Sequence, residues 1–159
     1  MEIRLAKRED LAEILKIYEY ARGFMAQNGN ATQWKTSYPP IQTVENDIEM
    51  QKLHVCIENK KIVCVFYYNE GIDLTYNVID GAWLNDKPYG VVHRIASAEG
   101  TRGAATFCLT WAYDNCKNLK IDTHENNIPM QNLLKKLGFD HCGTITLANG
   151  EPRWAYQKD

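Results

Sequence analysis

Residues 91–139, VVHRIASAEGTRGAATFCLTWAYDNCKNLKIDTHENNIPMQNLLKKLGF, leave few folds open to this chain. Val91, Val92 and Ile95 give a short apolar strand signal, Gly100 and Gly103 punctuate a turn, and the apolar residues that follow recur at helical spacing. A second strand signal over 119–123 and a second helical one over about 128–137 come next, with Gly138 placed to cap the helix. The pattern predicts a β-α-β-α unit. Amide groups in the first turn of a helix have no partners within it, so Arg102, Gly103, Ala104 and Ala105 can offer backbone donors to an anion. The small residues at 103–105 leave the close approach of a phosphate unobstructed.

A Gly-x-Ala turn before a helix is, alone, most often only a turn. The ordered set says more: strand, loop with Gly103 and Ala105, helix, strand, Asn127, helix, then Leu137-Gly138-Phe139. That order resembles the acetyl-coenzyme A core of the GNAT N-acetyltransferase superfamily. The resemblance covers nearly the whole chain, since a strand and helix precede this core and two strands follow it. It implies an α+β fold with a central mixed, mostly antiparallel sheet, one splayed parallel strand pair and about four flanking helices. It also implies acetyl-CoA as co-substrate. The backbone of Ile95, Ala96 and Ser97 would then pair with the pantetheine arm, Thr101, Arg102, Gly103, Ala104 and Ala105 would hold the pyrophosphate, and Asn127 would meet the coenzyme. An asparagine opening a helix is equally an ordinary N-cap. The family's loop starts with Gln or Arg where Gly100 stands, and its frequent tyrosine acid, seven residues past the asparagine, is here Leu134.

The rest of the chain suits such a fold. Ile3 and Leu5 alternate as in a strand, and Leu11, Ile14, Leu15, Tyr18, Ala21 and Met25 form a helical stripe ending near Ala26. Thr43 can cap a short helix reaching about Gln51. The runs 53–58 and 62–68 read as a hairpin, and Asn149-Gly150 marks another between 140–147 and 151–157. Residues 69–90 predict a further antiparallel excursion or an ordered loop. No repeat or linker interrupts 1–159, so one domain is expected.

Acetyl transfer from a thioester needs an amine held against the carbonyl, a donor for the developing oxyanion and a base for the ammonium proton. His93 and His124 are the first candidates for the base, because imidazole titrates near neutral pH. Asp122 lies two residues from His124, so on a strand the two would share a face, as an orienting pair or as surface decoration. Gln33 and Trp34 sit in the aperiodic segment 31–40, which in the resembled family borders the acceptor site; Trp34 is a candidate wall of that site or a plug of the core. Asp80, beside Gly81, is a third acceptor candidate, although an aspartate in such a place is more often a solvated turn residue. Arg153, near Trp154 and Tyr156, either lines a site or decorates the last strand, the latter being favoured.

Charge and composition narrow the partners. A net charge of −2 gives no electrostatic footprint for nucleic acid. No apolar run reaches the ~20 residues of a membrane helix, and MEIRLAKREDLAEI is not a secretory signal, so the cytoplasm is the expected compartment. The five cysteines lack metal or C-x-x-C spacing, and His124-Glu125 has no converging ligand, so no metal is expected. The expected activity moves acetyl from acetyl-CoA to a primary amine of a small-molecule or peptide acceptor, by direct attack in a ternary complex. A non-catalytic acyl-CoA-binding domain is the alternative, motivated by Gly100 and Leu134 at positions expected to be polar; an occluded domain serving assembly is a third. A homodimer is left open.

Overall fold

The computed structural model describes residues 1–159. Eight strands, β1 (Glu2–Leu5), β2 (Leu53–Glu58), β3 (Lys61–Glu70), β4 (Asp80–Gly81), β5 (Gly90–Ser97), β6 (Leu119–Thr123), β7 (Asp140–Thr146) and β8 (Pro152–Lys158), form one sheet in the order β1-β2-β3-β5-β6-β8-β7-β4. Four helices flank it: α1 (Leu11–Gln27), α2 (Ile41–Glu49), α3 (Ala104–Cys116) and α4 (Ile128–Lys136). Only β5 and β6 pair in parallel; every other pairing is antiparallel. This is the α+β arrangement that the ordered motif predicts.

The central strands are covered on both sides, so β3 reads as a continuous apolar run rather than an alternating one. Successive side chains still part to opposite faces. Cys64 and Phe66 join a core with Cys108, Leu109 and Ala112 of α3, whereas Val65 joins one with Ile14, Ile17 and Tyr18 of α1. The β2–β3 hairpin turns on Asn59 and Lys60, both left-handed (φ 51° and 65°), as a two-residue hairpin requires.

Differences from the sequence expectations are local. Helix α2 starts at Ile41 and ends at Glu49, with Pro40 rather than Thr43 as its N-cap. Pro40 is extended and its carbonyl already accepts from the Thr43 and Val44 amides, at 3.0 and 3.3 Å, which places Thr43 inside the first turn. Residues 69–90 hold both alternatives: an ordered loop with a 3-10 turn at Leu74–Tyr76, and the two-residue β4 on the far edge of the sheet beside β7. All five cysteines are free, and no helix is long and apolar enough to cross a membrane.

One irregularity shapes the middle of the sheet. Val65 pairs with Ala96 and Tyr67 with His93, so Arg94 and Ile95 together face Phe66 in a β-bulge. Arg94 is left-handed (φ 51°), a conformation that costs a side-chain-bearing residue roughly 1–2 kcal/mol. Three contacts hold it there. The Tyr18 hydroxyl donates to its carbonyl at 2.9 Å, its Nε donates to Asp47 Oδ2 at 2.9 Å, and its guanidinium lies 4.8 Å from the Tyr67 ring centre. The bulge bends β5 away from its neighbour. Parallel pairing lasts only for Gly90 with Leu119 and Val91 with Lys120, after which β5 and β6 part.

Candidate functional site

Two cavities open along that parting, and both are lined by Met25, Ile95, Asn127 and Met130. The smaller, about 270 Å3, runs from the end of β5 to the start of α3, over Ile95, Ala96, Ser97, Gly100, Thr101 and Ala105, with Tyr20 and Phe24 of α1 opposite. The β5 edge there has no partner strand, so its backbone can pair with an extended ligand.

The mouth of this cavity is a row of free amides. Helix α3 begins at Ala104, with left-handed Gly103 (φ 77°) as its N-cap. The first amide bonded back into the helix is that of Phe107, to Gly103 O at 3.0 Å, so the N–H groups of Arg102, Gly103, Ala104, Ala105 and Thr106 have no backbone partner. A Cβ built at Gly100 or at Gly103 would meet nothing within 4 Å. Such an open row of donors at the positive end of a 13-residue helix fits a diphosphate.

The larger cavity, about 400 Å3, lies between the β5–β6 split and the 31–40 segment. On its strand side, His93 Nε2 is 2.6 Å from Asp73 Oδ2, and Nδ1 is 3.8 Å from Asp122 Oδ2. The Tyr76 hydroxyl donates to the same Asp122 oxygen at 2.6 Å. The hydrogen bond from His93 holds the Asp73 carboxyl below the usual carboxylate range, whereas burial, aided by the Asp122 charge, pushes the Tyr76 phenol up. Tyr76 therefore acts only as a donor toward Asp122. Thr123 also lines this cavity, and its buried hydroxyl has no partner in the chain; a ligand atom would supply one.

The sequence candidates separate here. Gln33 and Trp34 line the larger cavity, and Gln33 Oε1 accepts from Asn30 at 2.8 Å and from Asn127 at 3.0 Å. Asn127 caps α4, accepting from the Met130 amide at 3.2 Å, while also lining both cavities. His124 lies past the end of β6, so the strand alternation does not carry it to the Asp122 face. Its ring bonds Thr32 Oγ1 at 3.1 Å and the Asn126 amide at 3.0 Å, and it borders neither cavity. Asp80 is exposed on the edge strand, paired with Thr144, and likewise borders neither. Leu134 is fully buried against α3 and the sheet, so that position faces the core.

Trp34 is 6% exposed and packs edge-on against Tyr18 and Tyr38, so it serves the core as well as the cavity wall. Trp34→Ala is expected to lower stability by about 3–5 kcal/mol, read as a shifted denaturation midpoint at unchanged slope. Trp34→Phe is expected to recover most of that loss.

Arg153 is the residue whose placement the favoured sequence reading missed. It is 5% exposed, lines the larger cavity, and donates to Pro152 O at 2.8 Å, Gln33 O at 3.3 Å and Glu151 at 3.1 Å. The available signal was alternation: Arg153 shares a face of β8 with the fully buried Ala155. Asp73 and Arg94 gave no signal at all, because loop residue 73 and a bulge reach the site only through the tertiary fold.

Among solved structures, the chain is similar to an acetyltransferase of the GNAT family from Streptococcus agalactiae 2603, with 33% identity, a TM-score of 0.89, and coverage of 99% of this chain and 94% of that one. A candidate acetyltransferase from Staphylococcus aureus Mu50 matches with 28% identity, a TM-score of 0.74, and coverage of 100% of this chain and 99% of that one. A chain of the NatC complex bound to Gag peptide and CoA shares the fold at 16% identity, with a TM-score of 0.63 and coverage of 99% of this chain and 98% of that one. No protein-family model and no curated protein sequence matches. The class of protein is thereby an acetyltransferase. The chain belongs to the GNAT family of N-acetyltransferases.

Proposed function

We propose that the protein transfers acetyl from acetyl-CoA to a primary amine by direct attack, with coenzyme in the smaller cavity and acceptor in the larger. The observation that carries this reading is the junction at Ile95, Asn127 and Met130, where a groove of free backbone edge meets a cavity holding a histidine between two carboxylates. A CoA-bound relative of the same fold supports the choice of donor.

The thioester brings an activated acyl group, so the chain need only bind, orient and move a proton. The amides of 102–106 receive the pyrophosphate, and the β5 edge at Ile95, Ala96 and Ser97 takes the pantetheine arm. A bulge takes one residue out of the ladder, and an N–H freed in this way at Arg94–Ile95 would be available to the oxygen that gains charge during attack. His93 is the base. Asp73 accepts the Nε2 proton and so fixes the tautomer that leaves Nδ1 with a lone pair, facing Asp122. An imidazolium formed there has a carboxylate at each ring nitrogen, Asp73 at 2.6 Å from Nε2 and Asp122 at 3.8 Å from Nδ1.

The test is a thermal-shift titration with acetyl-CoA followed by thiol release on adding amines. Saturable stabilisation together with amine-dependent thiol release is expected. No stabilisation at millimolar acetyl-CoA would sink the proposal, and stabilisation without release from any amine would turn it toward a binding domain.

A further inference from the structure

The larger cavity is electrically two-sided. Its β5–β6 end carries Asp122 and His93, with Asp73 bonded to His93 behind the lining. Its β8 end, where Arg153 reaches Gln33 O of the 31–40 segment, carries Lys35 and Arg153 with a single acid between them: Glu151 is 3.1 Å from Lys35 Nζ and 3.1 Å from Arg153 Nη2. One carboxylate between two permanent cations leaves a positive charge unbalanced. The cavity's third cation, Arg94, differs, because Asp47 neutralises it from behind the wall at 2.9 Å. Of the five N–H groups of Arg153, three are engaged, by Pro152 O, Gln33 O and Glu151, which leaves two for a ligand.

Taking the proposed activity as given, we infer that the acceptor is a primary amine that itself carries a carboxylate, in the manner of an amino acid. Its amine lies toward Asp122 and His93, and its carboxylate against Arg153 and Lys35. A polyamine would set its second ammonium beside those two cations, and a neutral tail would leave their surplus charge unanswered. The cavity, about 400 Å3, has room for a small zwitterion with an apolar side chain against Trp34 and Leu147.

The experiment measures kcat/KM from thiol release for glycine, L-alanine, L-methionine and L-glutamate, each against its own carboxamide, with putrescine and spermidine as polycationic comparisons. Carboxamides carry more free amine at neutral pH, so an acid that still leads does so through binding. The acids are expected to lead by about 10-fold or more, the scale of one charge-assisted contact. Lys35→Gln, on an exposed side chain, is expected to pull the acid-to-carboxamide ratio toward one, mainly through the KM of the acid. Arg153→Gln should do so more strongly, and Lys35→Gln decides the matter if the buried Arg153 variant fails to fold. Carboxamides or polyamines turned over as well as the acids would overturn the inference while leaving acetyl transfer standing, as would a Lys35→Gln ratio equal to wild type. Absence of thiol release with every amine would instead overturn the activity itself, and this inference with it.

Discussion

Gly103→Glu weakens acetyl-CoA binding by orders of magnitude while the chain stays folded: that is the expected result at the head of α3. The new side chain would project into open space, since a Cβ there meets nothing within 4 Å, so no core contact is lost. The backbone cost comes from the left-handed φ of 77° and amounts to roughly 1–2 kcal/mol. The binding cost is larger. A carboxylate at the N-terminus satisfies the helix dipole and competes for the amides of 102–106 that a diphosphate would use. Losing two charge-assisted hydrogen bonds of roughly 1.5–3 kcal/mol each weakens binding by about 10^2–10^4-fold. Gly103→Asn separates the two effects, because asparagine tolerates the left-handed conformation and adds no charge. Calorimetric titration should show the asparagine variant binding far more tightly than the glutamate variant, with both giving native circular dichroism. Equal affinities in wild type and Gly103→Glu would show that the phosphates dock elsewhere.

The loop at the head of α3 was more legible from sequence than the larger cavity, for a physical reason. Free amides at a helix start depend on local chain geometry, and Gly103 with Ala105 announces that geometry within a few residues. The larger cavity is assembled from residues far apart: Gln33 and Trp34 after α1, His93 and Arg94 at a bulge with Asp73 bonded to His93 from behind, Asp122 on β6 and Arg153 on β8. A bulge has no sequence signature here, because Arg94 adopts a backbone conformation that arginine alone would not choose. What stabilises it is tertiary: the buried Tyr18 hydroxyl and Asp47, the latter with its carboxyl pushed up by burial even beside Arg94. His124 shows the converse error. Its spacing from Asp122 suggested a shared face, but β6 ends at Thr123 and the alternation ends with it.

The second large effect belongs to His93. His93→Gln is expected to lower kcat by about 10^2–10^4-fold, the range of general-base catalysis, while the dissociation constant for acetyl-CoA stays within about 2-fold of wild type. Glutamine is preferred to alanine because the imidazole packs beside the Tyr67 and Tyr76 rings, at 5.6 and 5.8 Å between ring centres, and an empty site would mix a packing loss with the chemical one. Asp73→Asn tests the orienting role separately. The asparagine amide can donate to Nε2, which moves the imidazole proton to Nδ1 and removes the lone pair that faces Asp122. A fall in kcat smaller than that of His93→Gln, with little change in KM for either substrate, is the expected outcome. An independent reading comes from Asp73 itself. Its carboxyl is held below the ordinary range chiefly by the hydrogen bond from His93, so that contribution to stability is present above the unfolded value and disappears only as pH falls through the lowered one. In His93→Gln, the Asp73 titration followed by NMR should move back toward the usual carboxylate range, and the stability difference from wild type should shrink in acid. A variant that keeps its kcat while Asp73 shifts as described would make His93 a structural partner of the loop and leave Asp122, fixed by Tyr76, as the group that takes the proton.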